Sequence, residues 1–198
     1  MILLPNHEIL HDHFAYLAHG YVIFKEVLRE YPGVLWLDSS VCVTSSNLSS
    51  VLSHAVHISE GAALLSGTGH SNYAVTHPDM YAYLPSDVNQ LRRTQQWEAN
   101  SMLLYRTRWI YRSVLRWWYL CALTERCIAP TLHRFCTFDK HDQYTWFASC
   151  HRFDQSAINI LLANAFDYRD ATYYSRQHFI KIDRQKNRSN KSPAEICG

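Results

Sequence analysis

Val34-Leu35-Trp36-Leu37-Asp38-Ser39-Ser40 is the stretch of sequence that most constrains the fold. Four apolar residues in a row predict a short buried strand, and the polar residues after them predict that the strand ends at the surface. A helix is predicted before it, over 16–30, and Tyr31-Pro32-Gly33 separates the two elements. The stretch therefore indicates a helix followed by a buried strand whose carboxyl end presents Asp38.

Helices and short apolar strands alternate along the rest of the chain. The spacing of apolar residues predicts helices over 46–57, 109–124 and 153–166, and strands over 62–65, 98–105 and 178–182. Such alternation is typical of an α/β domain with a mostly parallel sheet, in which ligands bind beyond the carboxyl ends of the strands. We expect one domain over 1–182 and a disordered tail over 183–198, because Lys, Arg, Asn and Ser dominate the tail.

The composition narrows the class of protein. With 47% hydrophobic and 18% charged residues, the 198-residue chain can bury a sizeable core and is not disordered throughout. Its 19 basic and 17 acidic residues give a net charge of +2, which offers no electrostatic case for binding nucleic acid. No signal peptide or membrane span is visible, so we expect any targeting segment or membrane anchor to lie upstream of this sequence.

The cysteines indicate the compartment. Four of the six lie between 121 and 150, and no Cys-x-x-Cys pair occurs, which argues against a zinc ribbon. We predict a disulfide within this segment; four cysteines allow three pairings, and the spacing does not choose among them. Buried thiols in a cytosolic protein are the alternative. The glycosylation sequons at Asn47 and Asn187 favour the secretory pathway.

A second motif opens the helix predicted over 153–166. It reads Asp154-Gln155-Ser156-Ala157-Ile158-Asn159, and Gln155 and Asn159 share one helix face at i and i+4. Asp154 is placed to cap the helix, and Asp38 to cap its own turn, and these structural roles explain both carboxylates. Amides at a helix start also suit hydrogen bonding to sugar hydroxyls, and a carboxylate at a strand end suits a cation or a ribose hydroxyl.

Together the two motifs resemble the GT-A nucleotide-sugar transferases, especially retaining enzymes of the glycogenin type. Those enzymes have a lysine-bearing helix, a strand that ends in Asp-x-Asp, and a later helix that opens with Asp-Gln-x-x-Leu-Asn. The matching positions here are Phe24-Lys25, Leu37-Asp38-Ser39-Ser40 and the motif at Asp154. The layout over about 20–182 also resembles an uncharacterised, largely nematode family related to these transferases.

The resemblance implies a GT-A (Rossmann-like) fold that is incomplete at its amino terminus. It implies transfer of a sugar from a nucleotide-diphosphate donor to a glycan or protein acceptor in the Golgi lumen. Asp154 and Gln155 would be catalytic. The residues that would bind the donor are Asp38, Ser40, Lys25, His70 and Asn159.

The resemblance also implies a divalent cation, Mn²⁺ or Mg²⁺, with Asp38 and His178 as its ligands in this chain. Ser40 stands where the second Asp of Asp-x-Asp belongs, and a hydroxyl is a poorer ligand for these ions than a carboxylate. The substitution weakens the case for a metal-dependent reaction. It leaves an inactive, transferase-like binding protein as the alternative.

Two further motifs have competing explanations. Gly67-Thr68-Gly69-His70 suits either a loop over the donor or a simple surface loop, and it lacks the third glycine of a dinucleotide fingerprint. His7-Glu8-Ile9-Leu10-His11 matches the His-Glu-x-x-His pattern of zinc proteases, with Glu26 or Glu30 as a third ligand. Only six residues precede His7, too few for the sheet that shapes a protease groove, so we expect no zinc site.

Overall fold

The structure, a computed structural model, describes residues 19–175 and 179–182, with side chains from residue 23 onward. The zinc-protease motif at His7, Glu8 and His11, the candidate ligand His178 and the tail over 183–198 lie outside the described residues. The predictions made for them therefore stay predictions.

The described elements follow the expected alternation. The strands are β1 Gly33–Leu37, β2 Val41–Val43, β3 Ala62–Leu64, β4 Gly67–Ser71, β5 Gln95–Trp97, β6 Ser101–Tyr105 and β7 Ile180–Ile182. The helices are α1 His19–Glu30, α2 Ser49–His57, α3 Val88–Leu91, α4 (Arg108–Ile110, a π-helical turn Tyr111–Leu115, and Arg116–Ala122), α5 Glu125–Ile128, α6 Phe153–Ala165 and α7 Asp170–Tyr173. Two 3₁₀ turns, Tyr73–Val75 and Pro78–Ala82, follow β4.

The main sheet has the strand order β1-β6-β3, and β6 is antiparallel to both neighbours. β1 and β3 therefore run in the same direction on either side of β6. The other two described pairs, β2–β7 and β4–β5, are antiparallel as well. The described strands thus do not show the mostly parallel sheet that alternation suggested. The reason is local: the N–H of Asp38 donates to the carbonyl of Asn100 at 2.7 Å, so the chain enters β6 at the edge where β1 ends.

Helices cover both faces of this sheet, which confirms an α/β architecture in its general form. Along β6, Met102 and Leu104 point into a core shared with α1, α4 and α6, whereas Leu103 points into a second core shared with α2. This alternation follows from the two-residue period of a strand. α6 is buried on nearly all sides, with eight of its 13 residues inaccessible, so it is the central helix of the larger core.

α1 is held to the sheet by aromatic contacts. The ring of Phe24 lies 5.4 Å from the ring of Trp36 on β1 and 5.4 Å from the ring of Trp118 on α4. Phe24 and Trp118 are almost completely buried. Contacts between tilted rings add to the free energy of burial, so this trio joins α1, β1 and α4 into one unit.

The prediction of a disulfide between 121 and 150 is confirmed. Cys121 bonds to Cys127 and Cys136 bonds to Cys150, with Cα–Cα distances of 5.1 and 4.9 Å. Cys42 is disulfide-bonded too. Such bonds persist in oxidising compartments, so they support an extracellular or secretory-pathway protein. Among the described helices, none is long and apolar enough to cross a membrane.

The two disulfides are expected to differ in their effect on stability. Cys136–Cys150 closes a loop with a sequence separation of 14, and Cys121–Cys127 one of six. Because the longer loop constrains the unfolded chain more, the double alanine variant at 136 and 150 should lose about 3 kcal/mol of unfolding free energy, and the variant at 121 and 127 about 2 kcal/mol. Urea unfolding of both variants measures this, and the opposite order would refute it.

Candidate functional site

Asp38 lies immediately after β1 and is exposed. Its Oδ1 accepts hydrogen bonds from the N–H of Ser39 at 2.5 Å and from the Ser39 hydroxyl at 3.3 Å. The turn-stabilising role considered from the sequence is therefore present. Its backbone bond to Asn100 also fixes Asp38 beside the 98–100 turn between β5 and β6. The carboxylate thus has a defined position at the carboxyl edge of the sheet.

Asp154 lies in the first turn of α6 but does not cap the helix, because Arg152 occupies the capping position. The Oδ1 of Asp154 accepts from the N–H of Gln155 at 2.8 Å. The preceding residue, Phe153, has φ = +47°, a left-handed conformation that is rare for a bulky aromatic side chain. Backbone strain of this kind concentrates at functional sites, where the surrounding fold maintains it.

The pKa of the Asp154 carboxyl group is raised above its ordinary value. Desolvation by burial is the main cause that raises its pKa, to about 6, while hydrogen bonds from backbone N–H groups oppose the rise. The charge of Asp38 raises the pKa further. The charge of Asp38 is the smallest of these causes, so its carboxylate lies within electrostatic range of Asp154.

Gln155 joins α6 to the same turn. Its Nε2 donates to Oε1 of Gln96 on β5 at 2.6 Å, and its Oε1 accepts from the N–H of Ala99 at 3.5 Å. Asp38 and the adjacent pair Asp154 and Gln155, more than 110 residues apart in sequence, therefore lie around the 98–100 turn. We call these three residues and Glu98 the edge cluster.

Glu98 belongs to this cluster and was missed by the sequence analysis. Its Oε2 accepts from Nδ2 of Asn100 at 2.5 Å and from the hydroxyl of Ser66 at 3.4 Å. Its N–H donates to the carbonyl of Ser66 at 2.8 Å, which brings the carboxyl end of β3 to the turn. The signal was the pair of polar residues Glu98 and Asn100 just before the apolar run Met102-Leu103-Leu104, where the sequence predicts the start of a strand.

His70 lies at the margin of the edge cluster. It is buried, stacks on Phe138 with ring centres 5.1 Å apart, and its Nδ1 lies 3.3 Å from the carbonyl of Ser71. Burial lowers its pKa, the hydrogen bond to Ser71 opposes this, and the charges of Arg152 and Glu98 act in opposite directions. These interactions place a neutral imidazole near Glu98 and Arg152, and a donor-binding role for His70 stays a prediction.

Asn159 is completely buried and its amide is used within the protein. Its Oδ1 accepts from the N–H of Trp97 at 2.8 Å, and its Nδ2 donates to the carbonyls of Trp97 at 2.7 Å and Gln155 at 2.8 Å. These contacts do not favour the predicted contact with a donor. Asn159 instead locks β5 against α6 and so positions Gln155.

The other two residues predicted to bind the sugar donor, Ser40 and Lys25, lie in different parts of the fold. Ser40 is half-buried in the turn after Asp38. Lys25 faces α4: its Nζ lies 3.4 Å from the Tyr119 hydroxyl and 4.4 Å from the centre of the Tyr119 ring. These contacts assign Lys25 to the α1–α4 interface, away from the 98–100 turn that Asp38 and Gln155 bond.

No group of three or more His, Cys, Asp or Glu side chains in the described parts of the chain is arranged to hold a metal ion. The edge cluster offers Asp38 as an exposed carboxylate, with Asp154 on the facing helix. Mg²⁺ is commonly bound by one or two carboxylates together with substrate phosphates and water. The residues therefore fit a cation that arrives with a diphosphate better than one held by the protein alone.

A cavity of about 460 Å³ lies at the opposite end of the sheet, where it is lined by Pro32, Gly61 and Tyr105 among others. Pro32 precedes β1 and Gly61 precedes β3, so this is the amino-terminal edge of both strands. None of the predicted site residues lines it. We base the site on the edge cluster, because charged and amide groups converge there, whereas the cavity lining is largely apolar.

No protein-family model matches the chain, and neither the curated proteins nor the solved structures include one with significant similarity to it. The chemistry of the edge cluster and the resemblance of the motifs at Asp38 and Asp154 to those of GT-A transferases therefore support the function proposed below.

Proposed function

We propose that the edge cluster binds a nucleotide-diphosphate sugar and that the chain is a glycosyltransferase of the GT-A type acting in the secretory pathway, in the Golgi lumen. The observation that carries the proposal is that Asp38 and Gln155 both bond the 98–100 turn, Asp38 through the carbonyl of Asn100 and Gln155 through the N–H of Ala99. Asp154 is next to Gln155 and within electrostatic range of Asp38, and a cation or a positively charged reacting group between the two carboxylates would reduce their repulsion.

The architecture supports this location. β1 and β3 end at one edge of the sheet, and ligands of α/β proteins bind beyond the carboxyl ends of such strands. The 98–100 turn closes that edge and contacts both strand ends through Asn100 and Glu98. The disulfides fit a protein of the secretory pathway.

Each residue of the cluster then has a distinct task. Asp38 binds the ribose or a cation on the diphosphate, and that cation, when bound, neutralises charge on the leaving phosphate. Asp154 accepts hydrogen bonds from sugar hydroxyls, and its negative charge stabilises positive charge that develops on the sugar ring. Gln155 lies beside the anomeric carbon, where its second Nε2 hydrogen, the one that does not bond Gln96, would donate to an oxygen of the sugar or of the leaving phosphate. With a pKa of about 6, Asp154 carries its charge mainly above that pH.

Replacing Gln155 with alanine tests the catalytic part. The variant should lower kcat roughly 100-fold and change KM little, because the amide acts on the reacting atoms and the other residues hold the nucleotide. The assay is release of nucleoside diphosphate from a panel of nucleotide sugars, with Asn164→Ala, another amide on α6, as the control. Equal kcat for the two variants would remove Gln155 from the mechanism.

An inactive, transferase-like binding protein is the second candidate, and Ser40 favours it. If a cation is essential, loss of the second Asp of Asp-x-Asp weakens its binding. The two candidates differ in a single outcome: binding of a nucleotide sugar without release of nucleoside diphosphate would identify the binding protein.

A further inference from the structure

The outward face of α4 combines basic and apolar side chains. Arg108, Arg112 and Arg116 follow one another at four-residue spacing, and all three are exposed. Toward its carboxyl end the helix exposes three large apolar side chains by about half: Trp117 45%, Leu120 43% and Leu123 57%. The guanidinium of Arg116 lies 5.6 Å from the centre of the Trp117 ring, so the basic and apolar parts are continuous. We call these six residues the α4 face.

The chain segment that forms this face carries charge of one sign. Between Glu98 and Glu125 the sequence contains four arginines and no acidic residue. A chain whose net charge is only +2 thus concentrates positive charge on one helix. Helices that combine Arg with Trp and Leu in this way lie at membrane surfaces, where the cations meet headgroups and the apolar side chains enter the interface.

A groove beside the face provides an independent observation. It has a volume of about 200 Å³, lies between α1 and α4, and is lined by Lys25, Leu28, Arg29, Arg106, Tyr111 and Leu115. Three of the six lining residues are cationic and none is acidic. Arg29 pairs with Glu26 at 3.1 Å, but both side chains are exposed, so this pair neutralises the groove only weakly. Such a groove suits a phosphate group.

We propose that the α4 face docks on an anionic phospholipid surface exposed on the lumenal or extracellular side of a membrane, the side that the disulfides indicate. The arginines contact the headgroups, Trp117, Leu120 and Leu123 enter the interface, and a lipid phosphate occupies the groove between α1 and α4. This proposal is independent of the proposed catalytic function, because the face shares no residue with the edge cluster.

Vesicle flotation tests the electrostatic part. The wild-type protein should bind phosphatidylcholine vesicles that contain phosphatidylserine, bind those without it far less, and lose affinity as salt is added. The double variant Arg112→Glu/Arg116→Glu should bind roughly 30-fold more weakly, since each surface cation contributes about a factor of five. The matched control is Arg93→Glu/Lys140→Glu, which changes the charge equally at exposed positions outside α4.

A second pair of variants tests the apolar part. Trp117→Ser/Leu120→Ser should reduce vesicle binding roughly tenfold, because half-exposed apolar side chains no longer enter the interface. Leu132→Ser/Trp146→Ser, which alters the same two residue types at more exposed positions of the 130–150 loop, should not. The proposal is overturned if the wild type ignores anionic vesicles, if both lipid mixtures bind it equally, or if the control variants reduce binding as much. Retention on polyglutamate without vesicle binding would assign the face to an acidic protein and overturn it too.

Discussion

Replacing Asn159 with leucine is expected to lower the free energy of unfolding by about 4 kcal/mol. Leucine has the same branched arrangement of four side-chain heavy atoms as asparagine, is somewhat larger, and cannot replace its hydrogen bonds. The N–H and carbonyl of Trp97 would both remain buried without a partner, and each such group costs about 1–3 kcal/mol. Because Asn159 is completely buried, water cannot replace the lost bonds.

Asn164→Leu is the matched control on the same helix. Asn164 donates to the carbonyl of Pro85 and the hydroxyl of Ser86, both at 3.0 Å, but it is exposed. Solvent can hydrate those groups, so its loss should cost about 1 kcal/mol or less. Urea unfolding of both variants gives the comparison. If Asn159→Leu costs no more than Asn164→Leu, Asn159 does not hold β5 to α6.

The pH dependence of stability should reveal two buried groups that act in opposite directions. His151 is completely buried; its Nδ1 accepts from the N–H of His77 at 3.2 Å and its Nε2–H donates to the carbonyl of Ile128 at 3.1 Å. The bond accepted at Nδ1 needs a neutral ring, whereas the bond donated from Nε2 does not. Burial lowers the pKa of His151 to about 4; the hydrogen bond that it donates to the carbonyl of Ile128 opposes this, and the charge of His77 lowers the pKa further.

The signs follow from proton uptake. As the pH falls from about 6.5 to about 4, the unfolded chain protonates at His151 before the folded one, so the fold loses about 3 kcal/mol. Asp154, whose pKa is raised to about 6, does the reverse. Its folded form takes up a proton first, so acidification from about 6 to about 4 stabilises the fold by about 3 kcal/mol. These two contributions nearly cancel in the wild type.

Single variants should uncover each contribution. Asp154→Asn removes the stabilising uptake, so its unfolding free energy should fall by about 3 kcal/mol more than that of the wild type between about pH 6.5 and 4. His151→Gln should give the opposite deviation. Burial also lowers the pKa of His70, so acidification destabilises the fold through this residue too. That contribution is the same in the wild type and in both variants. Urea unfolding across this pH range is the measurement, and parallel profiles for wild type and Asp154→Asn would contradict the raised pKa.

The sequence predicted most elements because their signals are local. The apolar run before Asp38, the periodicity of α6 and the break at Pro32 depend only on neighbouring residues, and β1 and α6 appear within one residue of their expected bounds. β2 and β5 have three residues each, too few for a period to show, and β4, which spans Gly67–Ser71, contains no large apolar side chain. Strand pairing was also beyond local patterns, because β6 lies between β1 and β3 through a turn that no periodicity encodes.

The candidate site likewise combines residues with local sequence signals and residues without them. The sequence singles out Asp38, Asp154 and Gln155 because each follows or opens an apolar element and matches a motif. Glu98 was missed because its importance arises from the 98–100 turn, which becomes visible only when β5 and β6 are placed. The sequence predicts Asn159 as a donor-binding residue because its i, i+4 spacing places it on the same helix face as Gln155. The spacing does not show which element of the fold packs against that face.

Calorimetric titration with UDP and Mn²⁺ tests the central claim most directly, with Asp38→Asn as the informative variant. Asparagine keeps an oxygen that accepts from Ser39, so the turn is retained while the charge is lost. Asp139→Asn is the control, because Asp139 also stabilises an exposed turn, through the N–H groups of His141 and Asp142. The account predicts binding by wild type and Asp139→Asn, and affinity reduced roughly tenfold or more by Asp38→Asn. Absence of binding to any nucleoside diphosphate, or equal affinity in both variants, would contradict it.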